Sequence, residues 1–269
     1  MTGDAAHDDG YLLSGDGTES GDRLAAIAAL FDPSTFRHMD DLGLAPGWRC
    51  WEVGAGGTSV VQWVAQRTGP TGHVLATDLD VGWATHDLPP TVDVRRHDVA
   101  LDPPPDGGFH LVHARLVLVH LPGRDVALAN MMAALRPGGW LFIEDADPAL
   151  QPLSCPDELG PEQVLANTLR TGFRALLAGR GADLAYGRTL PRRLRAAGLT
   201  DVAADAAFPL SHPACARLEV ATINLIRRRL IDHGIATEAE IDRHLANVAA
   251  GRLDLTQPPM ISCWGRRPH

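Results

Sequence analysis

The chain has 269 residues, 45% of them hydrophobic and 21% charged; one doubly wound sheet with helical insertions fits that length and can bury a sizeable core. A formal net charge of −9 and the absence of any lysine disfavour a nucleic-acid partner and exclude Schiff-base, pyridoxal-phosphate and P-loop lysine chemistry. No apolar run approaches the ~20 residues of a membrane helix, and the opening MTGDAAHDDG lacks the basic start and apolar stretch of a secretion signal, so no membrane partner and a cytoplasmic location are expected.

After the polar start, Leu24, Ile27, Ala28, Leu30 and Phe31 recur at helical spacing, and Pro33 is expected to stop that helix. From Arg49 short apolar runs alternate with helical stretches, the pattern of a parallel sheet covered on both faces. Strands are predicted at 49–53, 73–78, 92–97, 109–114 and 140–144, with helices at about 58–68, 80–86 and 123–135. Beyond Asp147 the alternation lapses into the Pro-rich stretch 148–161 and a helix over about 161–178. A helix at 188–197 ending before Gly198, a strand at 202–209, helices at 213–233 and 238–250 and a last strand at 259–265 follow. Cys50, Cys155, Cys215 and Cys263 form no CxxC pair and are read as small buried hydrophobes.

The central signal is Cys50-Trp51-Glu52-Val53-Gly54-Ala55-Gly56-Gly57-Thr58-Ser59, a strand running into a glycine turn and then a helix. The glycines let the backbone turn sharply and approach a ligand, and the helix start offers N–H groups. A dinucleotide fingerprint has its third glycine where this chain has Ser59. Glu52, just before the turn, repels a pyrophosphate and suits the cationic amino group of a cofactor that carries an amino acid. Asp78 ends the second strand, where a carboxylate accepts from both ribose hydroxyls. Asp98 follows the third strand, placed for the amino group of an adenine, its other reading being a turn former.

Together Glu52-Val53-Gly54-Ala55-Gly56-Gly57, Asp78, Asp98-Val99 and Leu135-Arg136-Pro137-Gly138-Gly139 resemble, in order and spacing, the motifs of class I S-adenosylmethionine (SAM)-dependent methyltransferases over about 49–145. Tyr11-Leu12-Leu13, His120-Leu121-Pro122 and Gly187-Arg188-Thr189-Leu190-Pro191 further resemble the actinobacterial small-molecule enzymes of the ubiquinone-biosynthesis type, with Trp51 standing where those have a smaller apolar residue. The resemblance implies an α/β fold, a Rossmann-like doubly wound seven-stranded sheet whose last strand is antiparallel, with helical lid insertions. On that plan 1–47 is an N-terminal helical arm or lid, 48–147 the SAM-binding core, 148–186 a lid insertion, and 187–269 the completion of the core with a helical insertion at 210–252. It also implies that Gly54, Ala55, Gly56, Thr58 and Ser59 line the methionine and ribose, Asp78 binds ribose, Leu79 and Val99 flank the adenine and Asp98 meets its amino group. Ala114, Arg115 and His120 then lie near the sulfonium, and Tyr11 closes over the cofactor or simply packs the N-terminal arm.

The expected reaction moves a methyl group to an O, N or C atom of a small organic acceptor, plausible in secondary metabolism, and needs a general base only where the acceptor holds its proton near neutral pH. His113, His120, Glu144, Asp145 and Asp147 are the candidates near the cleft. Glu144 is favoured as a substrate-facing carboxylate, and His120 serves either catalysis or the cofactor side. Two other classes share parts of the pattern: an NAD(P)-dependent oxidoreductase, against which stand the missing lysine and Ser59, and a non-catalytic SAM-binding module. Asp102-Pro103-Pro104-Pro105 resembles the string of base-amino methyltransferases but precedes the fourth strand, so it reads as a loop. No metal is expected, Asp145 and Asp147 being too few hard ligands, and no oligomeric state follows from the pattern.

Overall fold

The computed structural model describes residues 18–84 and 87–269, with side chains from residue 21. They divide into two compact units. The first contains Phe31–Asp147, Ala185–Ala207 and Pro259–His269; the second contains the described residues up to Leu30 together with Pro148–Leu184 and Phe208–Pro258.

The first unit is built on a seven-stranded sheet. Its strands are β1 (Arg49–Val53), β2 (His73–Asp78), β3 (Val92–Arg96), β4 (Phe109–Arg115), β5 (Leu135–Ala146), β6 (Thr200–Ala207) and β7 (Met260–Arg266). Their order is β3-β2-β1-β4-β5-β7-β6; β1 to β5 pair in parallel and β7 runs antiparallel to both β5 and β6. The central strands are continuous apolar runs because both faces are covered. Trp51, Val53, Val112, Leu141 and Ile143 belong to a core that α3 (Arg124–Ala134) and α5 (Tyr186–Ala196) complete with Met131, Tyr186, Leu190 and Leu194. Cys50, Val74, Leu111 and Phe142 belong to a second cluster with Val61 and Val64 of α2 (Ser59–Thr68). The order reverses between β1 and β4, the switch point at which such sheets bind ligands beyond the carboxyl ends of their strands.

Three local readings need correction. Pro33 does not stop the first helix: α1 runs Thr18–Asp41 with Pro33 inside it. Proline removes one helical hydrogen bond, but Thr35, His38 and Met39 beyond it are all buried, and tertiary packing decides where propensity alone would end a helix. Among the described residues of 79–90 there is no helix; Asp80 accepts from Gly82 N at 2.8 Å and closes a turn instead. β5 begins at Leu135 rather than at residue 140, because Arg136-Pro137-Gly138-Gly139 enters the sheet through an irregularity in its pairing with β4.

The second unit packs α4 (Pro161–Gly179), α6 (Pro213–Asp232) and α7 (Glu238–Ala249) around Leu169, Ile223, Ile226, Leu230 and Ile241. Inside it Arg170 Nη2 donates to Glu219 Oε2 at 3.1 Å and the His244 ring meets Glu219 Oε1 at 3.0 Å. Burial works against the Glu219 charge, but His244 and Arg170 outweigh it and hold the carboxyl at about 2. All four cysteines are free and buried, and burial pushes the Cys155 and Cys263 thiols up to about 12.

Candidate active site

At the carboxyl edge of the sheet β1 delivers the chain into the glycine turn. Gly54 and Gly56 take φ of +61° and +59°, the left-handed region that costs an L-residue about 1–2 kcal/mol. The turn is tied to β2: Ala55 N donates to Thr77 O at 3.0 Å, and Gly56 N donates to Asp78 Oδ2 at 2.8 Å. Asp78 Oδ1 accepts from Asp80 N at 3.2 Å, so the carboxylate is held at the strand end with lone pairs to spare. Thr58 precedes α2 without a side-chain cap, which leaves the first N–H groups of that helix open to a ligand. Trp51, the departure from the resembled family, is fully buried and donates its Nε1–H to Thr77 Oγ1 at 2.9 Å; the hydroxyl supplies the partner that a large indole needs in a core.

Next along the edge, Leu79 is exposed. Asp98 Oδ1 accepts from Ala100 N at 2.8 Å and Leu101 N at 3.2 Å, an Asx-type turn, while its own N–H donates to Asp102 Oδ2. Asp102-Pro103-Pro104-Pro105 lies in the loop between β3 and β4, where Pro103 O meets the His97 ring. Val99 and Ala114 turn their side chains into the core. Arg115 donates to Asp32 Oδ1 at 2.8 Å and Thr35 Oγ1 at 3.0 Å. His120 is half-buried in a short 3-10 helix, Leu118–His120. Tyr11 lies outside the described residues.

The carboxylates behave differently from one another. Glu144 is fully buried: Ser262 Oγ donates to its Oε1 at 2.5 Å, Thr35 Oγ1 donates to its Oε2, and His113 Nε2 approaches the same oxygen at 3.3 Å. Read from the sequence as facing a substrate, Glu144 thus has both oxygens engaged inside the unit. Burial opposes its charge, but His113, Arg115 and Ser262 outweigh that and lower its pKa. His113 Nδ1 meets Glu52 Oε2 at 2.7 Å. Burial opposes protonation of this ring, yet the two carboxylates prevail and lift it to about 9. Asp145 is buried with neither carboxylate oxygen in a normal hydrogen bond among the described residues, and burial raises its pKa well above the usual carboxylate range against the backbone N–H groups of Val119 and Leu118. Asp147 is clamped by Arg188, whose Nε and Nη2 each lie 2.6 Å from one carboxylate oxygen.

Thr35, Ser262 and Leu116 escaped sequence reasoning. The first two carry no motif. Leu116 holds φ of +58° just after β4 and donates its N–H to Glu144 O, a strained conformation typical of functional edges. A cavity of about 430 Å³ at the opposite edge is lined by Trp48, His110, Trp140 and the Arg136–Gly139 turn among others, and holds none of the residues expected to bind the cofactor or act in catalysis.

Residues 51–141 match the family described as "Methyltransferase domain". The chain is 31% identical over 202 residues to Methyltransferase str2 of Strobilurus tenacellus, covering 73% of this chain and 69% of that one. The chain belongs to the class I SAM-dependent methyltransferases. A second relative, the ubiquinone/menaquinone biosynthesis C-methyltransferase UbiE of Burkholderia multivorans, is 29% identical over 121 residues, 40% of this chain and 47% of the relative. In fold this methyltransferase is similar to Haemonchus contortus phosphoethanolamine N-methyltransferase 2 (TM-score 0.52, 13% identity, 93% of this chain and 53% of the other). SAM is the methyl donor, and the edge just described fits it. The turn glycines open the backbone to a close-lying ligand, Asp78 holds a carboxylate at the end of β2 with the lone pairs a ribose would need, and Glu52 keeps Oε1 without a hydrogen bond among the described residues.

Proposed function

We propose that this methyltransferase moves a methyl group to an O, N or C atom of a small organic acceptor, in a biosynthetic pathway of secondary metabolism. The observation that carries the reading is the Glu52, Gly54–Gly56 and Asp78 edge, where one carboxylate suits an ammonium, the open turn suits a methionine chain and the second carboxylate suits a ribose. Thr58 and Ser59 continue that cradle. Leu79 offers an exposed apolar face to the adenine, Asp98 has an oxygen to accept from its amino group, and Val99 and Ala114 contribute backbone. Arg115 anchors the sulfonium side through Asp32 and Thr35, with Tyr11 as a cover. The printed function of the UbiE relative, a C-methylation in quinone biosynthesis, favours a small cyclic acceptor.

The bound donor supplies an electrophilic methyl group, so the protein's own task is to align a nucleophile and exclude water. Glu144, Asp145 and Asp147 are all buried inside the unit, Glu144 held by Ser262 and Asp147 by Arg188. His120, half-buried just beyond β4, is the side chain we assign to drawing a proton from an acceptor, an imidazole being able to titrate near neutral pH. The segments 1–47, 148–186 and 210–252 select the acceptor in this reading. Incubation with donor labelled in its methyl group and a panel of phenols, amines and activated aromatic carbons tests the proposal: label in a small product supports it, and label only in protein or nucleic acid overturns it. His120→Ala is expected to lower kcat for phenols by ~10²-fold if it acts as a base, and an unchanged kcat would discard that role.

A further inference from the structure

A buried polar line, Glu52–His113–Glu144, crosses three neighbouring strands. Parallel pairing puts Glu52 of β1 opposite His113 of β4, and Arg115 of β4 opposite Glu144 of β5. The imidazole therefore lies between the two carboxylates, 2.7 Å from one and 3.3 Å from the other, and is 1% exposed. For both carboxylates to accept, both ring nitrogens must carry hydrogen. The far carboxylate cannot swing away, because Ser262 and Thr35 hold it from β7 and α1. Ring and near carboxylate are fixed as a result: the ring takes Glu52 Oε2, and Oε1 makes no hydrogen bond among the described residues.

We infer that His113 is a positioning residue for the methyl donor: held by Glu144, it locks the Glu52 carboxylate with one oxygen turned to the donor's α-ammonium group. The inference rests on the Glu52 reading given above. Its physical content is preorganisation, since a carboxylate already fixed by a charge-assisted hydrogen bond loses little freedom when an ammonium arrives. His113 touches no reacting atom in this account. It governs affinity for the amino-acid end of the donor and leaves the adenosine end alone.

That difference supplies the test. S-adenosylhomocysteine (SAH) carries the amino-acid tail, and 5′-methylthioadenosine keeps the adenine, ribose and thioether without it. Both are titrated calorimetrically into wild type, His113→Gln, Glu144→Gln and Glu52→Gln, each checked for native circular dichroism. His113→Gln is expected to weaken SAH about ten-fold or more, the loss of one charge-assisted hydrogen bond, and to leave methylthioadenosine within about two-fold, inside the spread of near-neutral substitutions. Glu144→Gln, which keeps the shape and loosens the clamp, shifts the same ratio in the same direction and carries the test if His113→Gln does not fold. Equal weakening of both ligands makes His113 a purely structural residue and overturns the inference. An unchanged ratio in the His113 and Glu144 variants, with SAH weakened by Glu52→Gln, overturns it while sparing the Glu52 reading; an unchanged ratio in Glu52→Gln removes that reading and the inference with it.

Discussion

Two backbone conformations define the edge at the level of single residues. Gly54 sits at φ +61°, and a Cβ there would lie 2.5 Å from Val117 Cγ2; Val can turn aside, but the left-handed backbone cannot be relieved. Gly54→Ala should cost about 1–2 kcal/mol in a denaturant melt and more in SAH affinity, and an unchanged titration would show that the turn does not approach the donor. The need for glycine was legible in the sequence. Leu116, in the same region of φ, left no trace there, because nothing in a leucine announces a strained site. His113 was legible only as a candidate: its partners Thr35 and Ser262 are ordinary residues brought to it by helix and strand packing. Its folded pKa of about 9 exceeds the unfolded 6.5. The ring thus adds stability that is complete below pH 6.5 and drains away as the pH rises through 9, up to ~3 kcal/mol. Wild type should lose unfolding free energy between pH 6.5 and 9.5 faster than His113→Gln does; parallel curves would contradict a protonated ring.

Helices and strands were readable where pattern and packing agree. The strands β1, β2 and β4 are apolar runs bounded by turn residues, so their ends fell within a residue or two. Where the two disagree, packing prevailed. α1 continues past Pro33 because its last turns bury Thr35, His38 and Met39, and that continuation is what brings Thr35 to Glu144. The stretch after Asp78 has helical composition but spends its polar groups on turns around Asp80. α7 shows agreement at its start: Thr237 accepts from Glu240 N while the Glu240 side chain accepts from Thr237 N, a capping box. Thr237→Ala should lower stability by ~1 kcal/mol and raise hydrogen exchange in the first turn of α7. Unaltered exchange there would mean that packing alone sets the helix start.

On the scale of the whole molecule the chain enters and leaves the sheet-bearing unit several times, and the insertions 148–184 and 208–258 make a unit with its own buried network. The switch point, the glycine turn and Asp78 coincide at one edge of the sheet, and that coincidence was legible in the sequence. The acceptor is not legible in the same way, since no motif marks the inserted helices. Glu219 in the second unit has a folded pKa of about 2 against 4.5 unfolded; its contribution is full above pH 4.5 and is lost as the pH falls towards 2. Amides of α4, α6 and α7 should therefore lose protection across that window, and Glu219→Gln should flatten the change. The central claim, a SAM site at the Glu52–Gly54–Asp78 edge, is tested most directly by calorimetric titration of SAH and of NAD into wild type and Asp78→Ala. The account predicts micromolar binding of SAH, weakened at least ~10-fold by the substitution, and no binding of NAD. Binding of NAD alone, or SAH affinity indifferent to Asp78, would contradict it.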